Sequence, residues 1–193
     1  MPENPGAVFK NDAEMEAWIE RNALAWAHRL TDAERWAAKI YKGSKGAEYE
    51  AINGWLRRLV QLLPNEVQRV RSVVAHLDTA LAKGSLDREM ILFRGVKPYP
   101  PPVIGERYLD AAYWSTTPSW EVAELYAGDF EPGYIFQMRL PPGTRAGFPD
   151  RLGVSEGELE VLLQRGTMYR VADIRTPRRP SMHRLVIIEE VSW

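Results

Sequence analysis

The spacing of apolar residues changes near the middle of the chain, and this change constrains the fold more than any other feature. In the N-terminal half, apolar residues recur at intervals of three and four, which predicts helices. Asn11 and Thr31 each precede a glutamate by three residues, a capping-box pattern that marks two helix starts. From Glu89 onward, short or alternating apolar runs between Gly and Pro predict strands. Helices followed by strands favour an α+β fold, in which a four-helix lobe (1–88) packs on a β-rich core (89–193).

The pattern also predicts where individual elements lie. The second helix has an apolar stripe that includes Trp36 and ends before Gly43. The third is expected from about Ala47 to Leu63, with Leu59 buried and Pro64 as its end. A fourth helix ends near residue 84 and a fifth spans about 119–127. Strands are predicted at residues 90–96, 111–116, 134–140, 160–163, 168–173 and 184–191.

Composition limits the function classes. A chain of 193 residues with a net charge of -1 fits one compact domain and has no global attraction to nucleic acid or anionic lipid. It contains no cysteine, which excludes thiol catalysis and cysteine-bound metals. No apolar run is long enough for a membrane span, and the N-terminus does not resemble a classical signal peptide.

Two glutamates stand directly before a buried-strand pattern. Glu158 and Glu160 precede the apolar run 161–163. If this segment is extended, both side chains point to the same face, and carboxylates that close resist joint ionisation. Such a pair can divide the stabilisation of a cation from the acceptance of a proton. The same residues also fit a solvated acidic turn, so the pattern alone leaves both interpretations open.

One arginine interrupts an otherwise apolar strand. Arg94 lies within the run 91–96 and is followed by Gly95. A guanidinium on a buried strand needs a partner, and the planar fork matches a phosphate or a carboxylate. Gly95 would let a ligand approach the backbone closely. A structural salt bridge or a solvent-facing edge strand explains the arginine equally well.

Hydroxyl side chains end the next predicted strand. Ser115 and Thr116 belong to a run of three hydroxyl residues that can hydrogen-bond a ligand or a carboxylate, or can simply cap the following helix. His28, His76 and His183 lie in different predicted elements and lack the spacing of a metal site or a catalytic triad. The sequence therefore predicts no bound metal.

The order of these motifs resembles that of a known family. An arginine strand, then Ser-Thr-Thr, then Glu-x-Glu is similar to the Arg, Ser-Thr-Ser, Glu-x-Glu signature of bacterial ADP-ribosyltransferase exoenzyme toxins. The similarity continues in residues 30–56, 140–144 and 160–167 and covers about residues 14–191. Relatives would include the catalytic domains of actin-modifying binary toxins and Rho-modifying clostridial exoenzymes. The resemblance implies two facing sheets, an N-terminal helical lobe and an NAD-binding cleft between them.

The resemblance also implies which residues contact NAD. Arg94 matches an arginine that binds the phosphates, and Gly95 matches a position whose backbone holds the nicotinamide amide. The arginine usual in the loop after the hydroxyl strand is absent, and Tyr126 or Phe130 can supply an aromatic contact there. The expected NAD-binding residues are Tyr49, Asn53, Arg57, Arg94, Gly95, Ser115, Thr116, Tyr126, Phe130 and Glu160.

The same resemblance assigns catalytic roles. Glu160 matches the glutamate that stabilises the positive charge developing on the ribose, and Ser115 matches the serine that orients it. Glu158 matches the position that selects the acceptor, where glutamate is associated with arginine modification. The expected catalytic residues are therefore Arg94, Ser115, Glu158 and Glu160.

The predicted activity is NAD-dependent mono-ADP-ribosylation of an arginine in a target protein, by a secreted or injected toxin. The target is expected to be actin-like or bacterial, with an immunity protein or a separate translocation subunit as a further partner. An NAD glycohydrolase or a nucleic-acid ADP-ribosyltransferase would use the same site, although the net charge of -1 makes nucleic acid less expected. A non-catalytic NAD-binding or partner-binding module is the alternative of another class.

Overall fold

The computed structural model describes residues 9–43, 47–97, 100–128, 132–152, 158–177 and 181–193. Within these residues, four helices come first: α1 (Asp12–Arg29), α2 (Asp32–Lys42), α3 (Ala47–Leu56) and α4 (Pro64–Leu81). The later elements are β1 (Met90–Val96), β2 (Arg107–Asp110), β3 (Trp114–Thr116), α5 (Trp120–Ala127), β4 (Tyr134–Leu140), β5 (Ala146–Gly147), a short 3-10 helix (Pro149–Leu152), β6 (Val161–Leu163), β7 (Thr167–Arg175) and β8 (Arg184–Ser192). The predicted α+β class is confirmed.

Side-chain caps begin the helices close to where the sequence predicts them. At α1, the Asn11 side chain accepts a hydrogen bond of 2.9 Å from the backbone N–H of Glu14. At α2, Thr31 and Glu34 form the complete capping box. At α5, the Ser119 side chain accepts a hydrogen bond from the backbone N–H of Val122. These caps pair N–H groups that the first helical turn leaves without partners, so they locate the helix starts.

The strands form two sheets. A five-stranded sheet has the order β1-β4-β8-β7-β2, and a three-stranded sheet has the order β3-β6-β5. Strands β4 and β8 are parallel, whereas the other neighbours are antiparallel. The sheets meet where the backbone of Phe93 in β1 pairs with that of Thr117, directly after β3. The described residues therefore contain the predicted two-sheet β region.

The helical lobe and the three-stranded sheet share one core. Trp18 of α1 packs edge to face on Phe148, with ring centroids 5.5 Å apart. Trp26 donates its indole N–H to the carbonyl of Ala80 in α4 over 2.8 Å. A Cβ atom at Gly147 in β5 would lie 2.7 Å from the Trp26 ring, so only glycine lets this strand approach α1. Buried aromatic rings therefore join the two parts of the chain.

Helix α5 covers the other face of the five-stranded sheet. Trp120 packs edge to face on Phe93 of β1, with ring centroids 5.6 Å apart. A Cβ atom at Gly95 would lie 1.9 Å from the carbonyl oxygen of Ala123. The sequence predicts that Gly95 lets a ligand approach the backbone, and the structure adds that it lets the α5 backbone approach β1.

Four predictions about the helical half are wrong. Helix α3 ends at Leu56 instead of Leu63, since Arg58 follows with a left-handed φ of 59°. Pro64 begins α4, where a first-turn proline loses no helical hydrogen bond, and does not end α3. Leu59, predicted to be buried, is 76% exposed, and Trp36 on α2 is also exposed.

Two short strands lack a sequence signal. Strand β2 is an edge strand and β5 has two residues, so neither shows a long alternating pattern. The strand predicted at 111–116 forms only at Trp114–Thr116 because the Asp110 carboxylate binds the backbone N–H of Ala112 and turns the chain. Among the described residues, none of the helices combines the length and the apolar character that a membrane span requires.

Candidate active site

A cleft lies between the helical lobe and the two sheets. Its cavity of about 960 Å³ is bordered by α2 and α3 on one side and by β1, β3 and α5 on the other. Volumes of about 300–1,000 Å³ are usual for cofactor sites. Ten predicted site residues line the cavity: Tyr49, Asn53, Arg57, Arg94, Gly95, Ser115, Thr116, Tyr126, Glu158 and Glu160. Phe130 lies outside the described residues.

The two glutamates converge on a lysine. The Nζ atom of Lys42, the last residue of α2, lies 3.0 Å from Oε2 of Glu158 and 2.8 Å from Oε2 of Glu160. The same Nζ lies 2.7 Å from Oδ1 of Asp150 in the 3-10 helix. The side chains of Lys42 and Glu160 are 3% and 6% exposed, whereas that of Glu158 is 32% exposed. Three carboxylates thus surround one buried ammonium group.

The backbone that carries the glutamates differs from the prediction. Strand β6 begins at Val161, and Leu159 has a left-handed φ of 52°, so the segment is not extended as predicted. The backbone N–H of Glu160 instead donates to Oδ2 of Asp150 over 3.1 Å. Both glutamate side chains still reach the same point because they bind the same ammonium.

The charges of this cluster stabilise one another. Burial alone would lower the pKa of Lys42, but the charges of Glu160 and Asp150 raise it above its ordinary value. Oxygen atoms of Asp150, Glu158 and Glu160 lie within 4.8 Å of one another, a spacing that calls for a cation. The Lys42 ammonium is that cation, and we assign no metal to the cluster.

Lys42 and Asp150 are site residues that the sequence motifs do not predict. A lysine in the last turn of a helix is ordinary, because it interacts favourably with the helix dipole. One signal was present: Lys42 is four residues after Ala38 and shares its helix face, and Ala38 is buried. A lysine on the buried face of a helix needs an acidic partner.

Arg94 lies against β3. Its Nη1 atom donates to the carbonyl oxygen of Ser115 over 2.6 Å, and its guanidinium lies 5.6 Å from the centre of the Trp114 ring. Burial lowers the pKa of Arg94. The resemblance predicts that the Ser115 hydroxyl orients Glu160, but in the part of the chain described here that hydroxyl makes no hydrogen bond to Glu160. Lys42 binds this carboxylate instead.

Arg57, predicted to contact NAD, is held at the cavity wall by an acid. Its Nε and Nη2 atoms donate to the two carboxylate oxygens of Asp110, each over 2.8 Å. Burial alone would lower the pKa of Arg57, but Asp110 raises it. The Arg57 side chain remains 30% exposed. The arrangement therefore presents a fixed, charged guanidinium to the cleft.

Asn53 and Thr116 line the cavity but also hold the fold together. Asn53 donates to the hydroxyl oxygen of Tyr41 over 2.9 Å and accepts a hydrogen bond from the backbone N–H of Tyr113. The Thr116 hydroxyl donates to the carbonyl of Val161. Burial, and then the charge of Glu160, raise the pKa of Tyr41. Both predicted site residues thus connect elements that form the cleft.

Two tyrosines stand at the rim of the cavity. Tyr49 and Tyr126 are 36% and 55% exposed. Burial and the neighbouring carboxylate of Glu158 raise the pKa of Tyr126. Their positions give the cleft aromatic surfaces on which a planar ring can stack.

Bacterial toxins of known structure share this fold. The Clostridium limosum C3 exoenzyme has a TM-score of 0.72 at 23% identity, with 94% of this chain and 96% of that chain covered. Plx2a, an ADP-ribosyltransferase toxin from Paenibacillus larvae, has a TM-score of 0.72 at 21% identity, with coverage of 91% and 94%. C3stau2 from S. aureus, solved with NAD, has a TM-score of 0.71 at 18% identity, with coverage of 94% and 97%.

Sequence comparison gives the family directly. No curated protein sequence is similar enough to this chain to count as a match. The model of the ADP-ribosyltransferase exoenzyme family, however, matches residues 15–101 and 99–192. These ranges include the arginine strand, the hydroxyl strand and both glutamates that line the cleft. The chain therefore belongs to the ADP-ribosyltransferase exoenzyme family and has the fold of its bacterial toxins.

Proposed function

We propose that this chain is a toxin or effector that transfers ADP-ribose from NAD to an arginine of a target protein and releases nicotinamide. The observation that carries the proposal is the convergence of Arg94, Glu158 and Glu160 on one cavity. Membership of the family supports ADP-ribosyl transfer. The S. aureus relative, solved with NAD, supports NAD as the co-substrate.

The charged groups of the cavity suit a dinucleotide. Arg57 and Arg94 provide guanidinium groups, whose planar N–H donors match phosphate oxygens. A guanidinium carries five N–H donors, and the bond from Arg94 to Ser115 uses one of them. The carboxylates of Glu158 and Glu160 line the same cavity and can stabilise positive charge there.

Glu160 has the properties of the group that stabilises charge. NAD supplies the ADP-ribosyl group, with nicotinamide as the leaving group. The bond between ribose and nicotinamide breaks, its electron pair leaves with nicotinamide, and positive charge develops on the ribose carbon, as in glycoside cleavage. The Glu160 carboxylate, 6% exposed and held by Lys42, is largely shielded from solvent and can stabilise that charge.

Glu158 has the properties of the group that meets the acceptor. At 32% exposed it is more accessible than Glu160, as a residue that binds a second substrate must be. Its carboxylate can align an arginine guanidinium and accept a proton as the nitrogen bonds to the ribose carbon. A neutral amide at this position could not accept that proton.

Two substitutions test the proposal. Glu160→Gln is expected to abolish both nicotinamide release and protein labelling, because it removes the stabilising charge. Glu158→Gln is expected to abolish arginine labelling and to retain part of the nicotinamide release, because only acceptor activation is lost. Glu89→Gln, which changes a 54% exposed glutamate paired with Arg139, is the control and should behave as wild type.

The assay uses biotin-labelled NAD with bacterial and eukaryotic lysates, and actin is the first eukaryotic protein to examine. A band that neutral hydroxylamine removes, and that Glu160→Gln lacks, is the expected result. Label found only on RNA would indicate that the acceptor is a nucleic acid and not an arginine. Nicotinamide release without any label would indicate an NAD glycohydrolase. No nicotinamide release at all would favour a non-catalytic binding module.

A further inference from the structure

Lys42 is a buried cation without a role in the reaction proposed above. Its Nζ atom contacts Asp150, Glu158 and Glu160 at 2.7, 3.0 and 2.8 Å. The lysine belongs to the helical lobe, and Glu160 follows it by 118 positions in the sheet region. One side chain thus connects the end of α2 to both glutamates of the cleft.

The charge balance explains why a cation is needed here. Three carboxylates whose oxygens lie within 4.8 Å of one another cannot all stay ionised without compensation. Without that compensation, the three carboxylates would bind protons as one coupled group. If one of the glutamates were protonated, it could neither stabilise a positive charge nor accept a proton from the acceptor.

We propose, on the basis of the function proposed above, that Lys42 is a positioning residue for ADP-ribosyl transfer. Its ammonium compensates the negative charges of Glu158 and Glu160 and fixes their positions relative to each other. Glu160 is held at two points, because Lys42 binds its carboxylate and Asp150 accepts its backbone N–H. Lys42 therefore sets the pH range over which both glutamates can act.

The tyrosines and the arginine around the cluster do not titrate in the range of this test, and Glu50 is common to every variant compared. Burial is the main reason why the pKa values of Tyr41, Tyr49 and Tyr126 lie above the ordinary value of 10.0. None of these tyrosines therefore titrates between pH 5 and 8. Arg94 keeps its charge throughout this range. The groups that face the cluster are Asp150 from the 3-10 helix, Tyr41 from α2, Tyr49 and Glu50 from α3, Arg94 from β1, and Tyr126 from α5.

The experiment measures nicotinamide release from NAD as a function of pH. Lys42→Met removes the charge and keeps most of the side-chain volume, whereas Lys42→Arg keeps the charge. Lys83→Met is the matched control, because Lys83 binds a single buried acid, Glu34, outside the cleft. Each variant is measured for kcat and KM between pH 4.5 and 9, and for its unfolding midpoint in urea.

For Lys42→Met, the acid limb of kcat/KM is expected to move upward by at least about one pH unit, which gives about a tenfold loss at pH values below the wild-type midpoint. The loss should lie mainly in kcat. Lys42→Arg should restore the wild-type pH profile at reduced amplitude, and Lys83→Met should keep it. A Lys42→Met profile with the wild-type midpoint and only a lower amplitude would overturn the proposal, since a purely structural role predicts that result.

A second measurement, the urea unfolding midpoint, tests the charge balance of the cluster without an activity assay. In Lys42→Met, the uncompensated carboxylates bind protons more tightly in the folded state, so the urea midpoint should fall further below wild type as pH rises from 5 to 8. For Lys83→Met the deficit should change less over this range, because only one carboxylate loses its cation and the backbone N–H of Thr31 still donates to it. An unchanged deficit for Lys42→Met would refute the charge argument. A wild type that releases no nicotinamide would refute the proposed function instead.

Should Lys42→Met not fold, the double substitution Lys42→Met, Asp150→Asn removes one carboxylate together with the cation. Its amide oxygen can still accept the backbone N–H of Glu160. The remaining pair, Glu158 and Glu160, should again show the raised acid limb. A wild-type acid limb in this variant would count against the proposal.

Discussion

Asp110 connects three elements of the cleft, and its removal tests how the cleft is held together. Its carboxylate accepts two hydrogen bonds of 2.8 Å from Arg57, one of 3.0 Å from the backbone of Ala112 and one of 2.9 Å from the indole of Trp114. Burial alone would raise the pKa of Asp110, but the hydrogen bonds from Arg57 and Ala112 lower it. Asp110→Ala leaves all of these donors without their acceptor.

The expected cost follows from the burial of the partners. Removing one member of a fully buried ion pair costs about 3–5 kcal/mol, and of an exposed pair about 0–1 kcal/mol. The side chains of Arg57 and Asp110 are 30% and 20% exposed, which places this pair between the two cases. Trp114 is 1% exposed, and an unpaired buried N–H adds about 1–3 kcal/mol. We expect a total of about 3 kcal/mol.

Urea unfolding at pH 7 measures this cost. With a slope of about 2 kcal/mol per molar, the midpoint should fall by about 1.5 M. Glu89→Ala is the control, because Glu89 and Arg139 also form a short ion pair but are 54% and 64% exposed. Its cost should stay within about 0.5 kcal/mol. If Asp110→Ala costs no more than this control, the reasoning from burial and orphaned donors is wrong.

Two further substitutions test local features. Burial raises the pKa of Glu34, but Lys83 and Thr31 bring it down from 4.5 to about 2; the stabilisation is therefore present above pH 4.5 and lost as pH falls towards 2. Glu34→Gln should lower the free energy of unfolding by about 1–3 kcal/mol at pH 7. The decline of the urea midpoint between pH 5 and pH 3 should also become smaller in this variant, and an unchanged decline would contradict this. Gly95→Ala should cost about 1–3 kcal/mol, because its Cβ must displace α5, and an unchanged melting temperature would contradict the close approach.

Elements whose signals are local could be predicted well. Strands β1 and β4 have the predicted bounds because each is a run of seven mostly apolar residues with a Pro within two positions of its end. Helices α1 and α2 begin where Asn11 and Thr31 can cap them. In each case the side chains that decide the structure lie within the segment itself.

Elements that depend on distant partners could not be predicted. Strand β5 consists of Ala146 and Gly147 and exists through its pairing with β6. The end of α3 depends on the left-handed Arg58, a position where the sequence offers no glycine as a signal. Lys42 is the same case in the site, because its partners Asp150 and Glu160 are 108 and 118 positions away.

The residues that line the cavity could be predicted because their order along the chain carried more information than any single motif. Arg94, Ser115 and the two glutamates each admitted an ordinary structural interpretation alone. All four line one cavity. The order of the motifs could not predict the side chains that pair with these residues. The pairing of Arg57 with Asp110 and of Glu160 with Lys42 depends on tertiary packing.

Several residues of the cleft serve the fold as well as the site, and this decides how inactive variants must be interpreted. Replacing Asn53 or Thr116 removes buried hydrogen bonds, and replacing Gly95 displaces α5, so lost activity would follow from unfolding as readily as from lost contacts. Glu158 is different, because it is 32% exposed and glutamine keeps its shape and its bond to Lys42. Lost arginine transfer with an unchanged urea midpoint in Glu158→Gln would therefore assign the loss to the carboxylate charge, which aligns the acceptor guanidinium and accepts its proton, and not to unfolding.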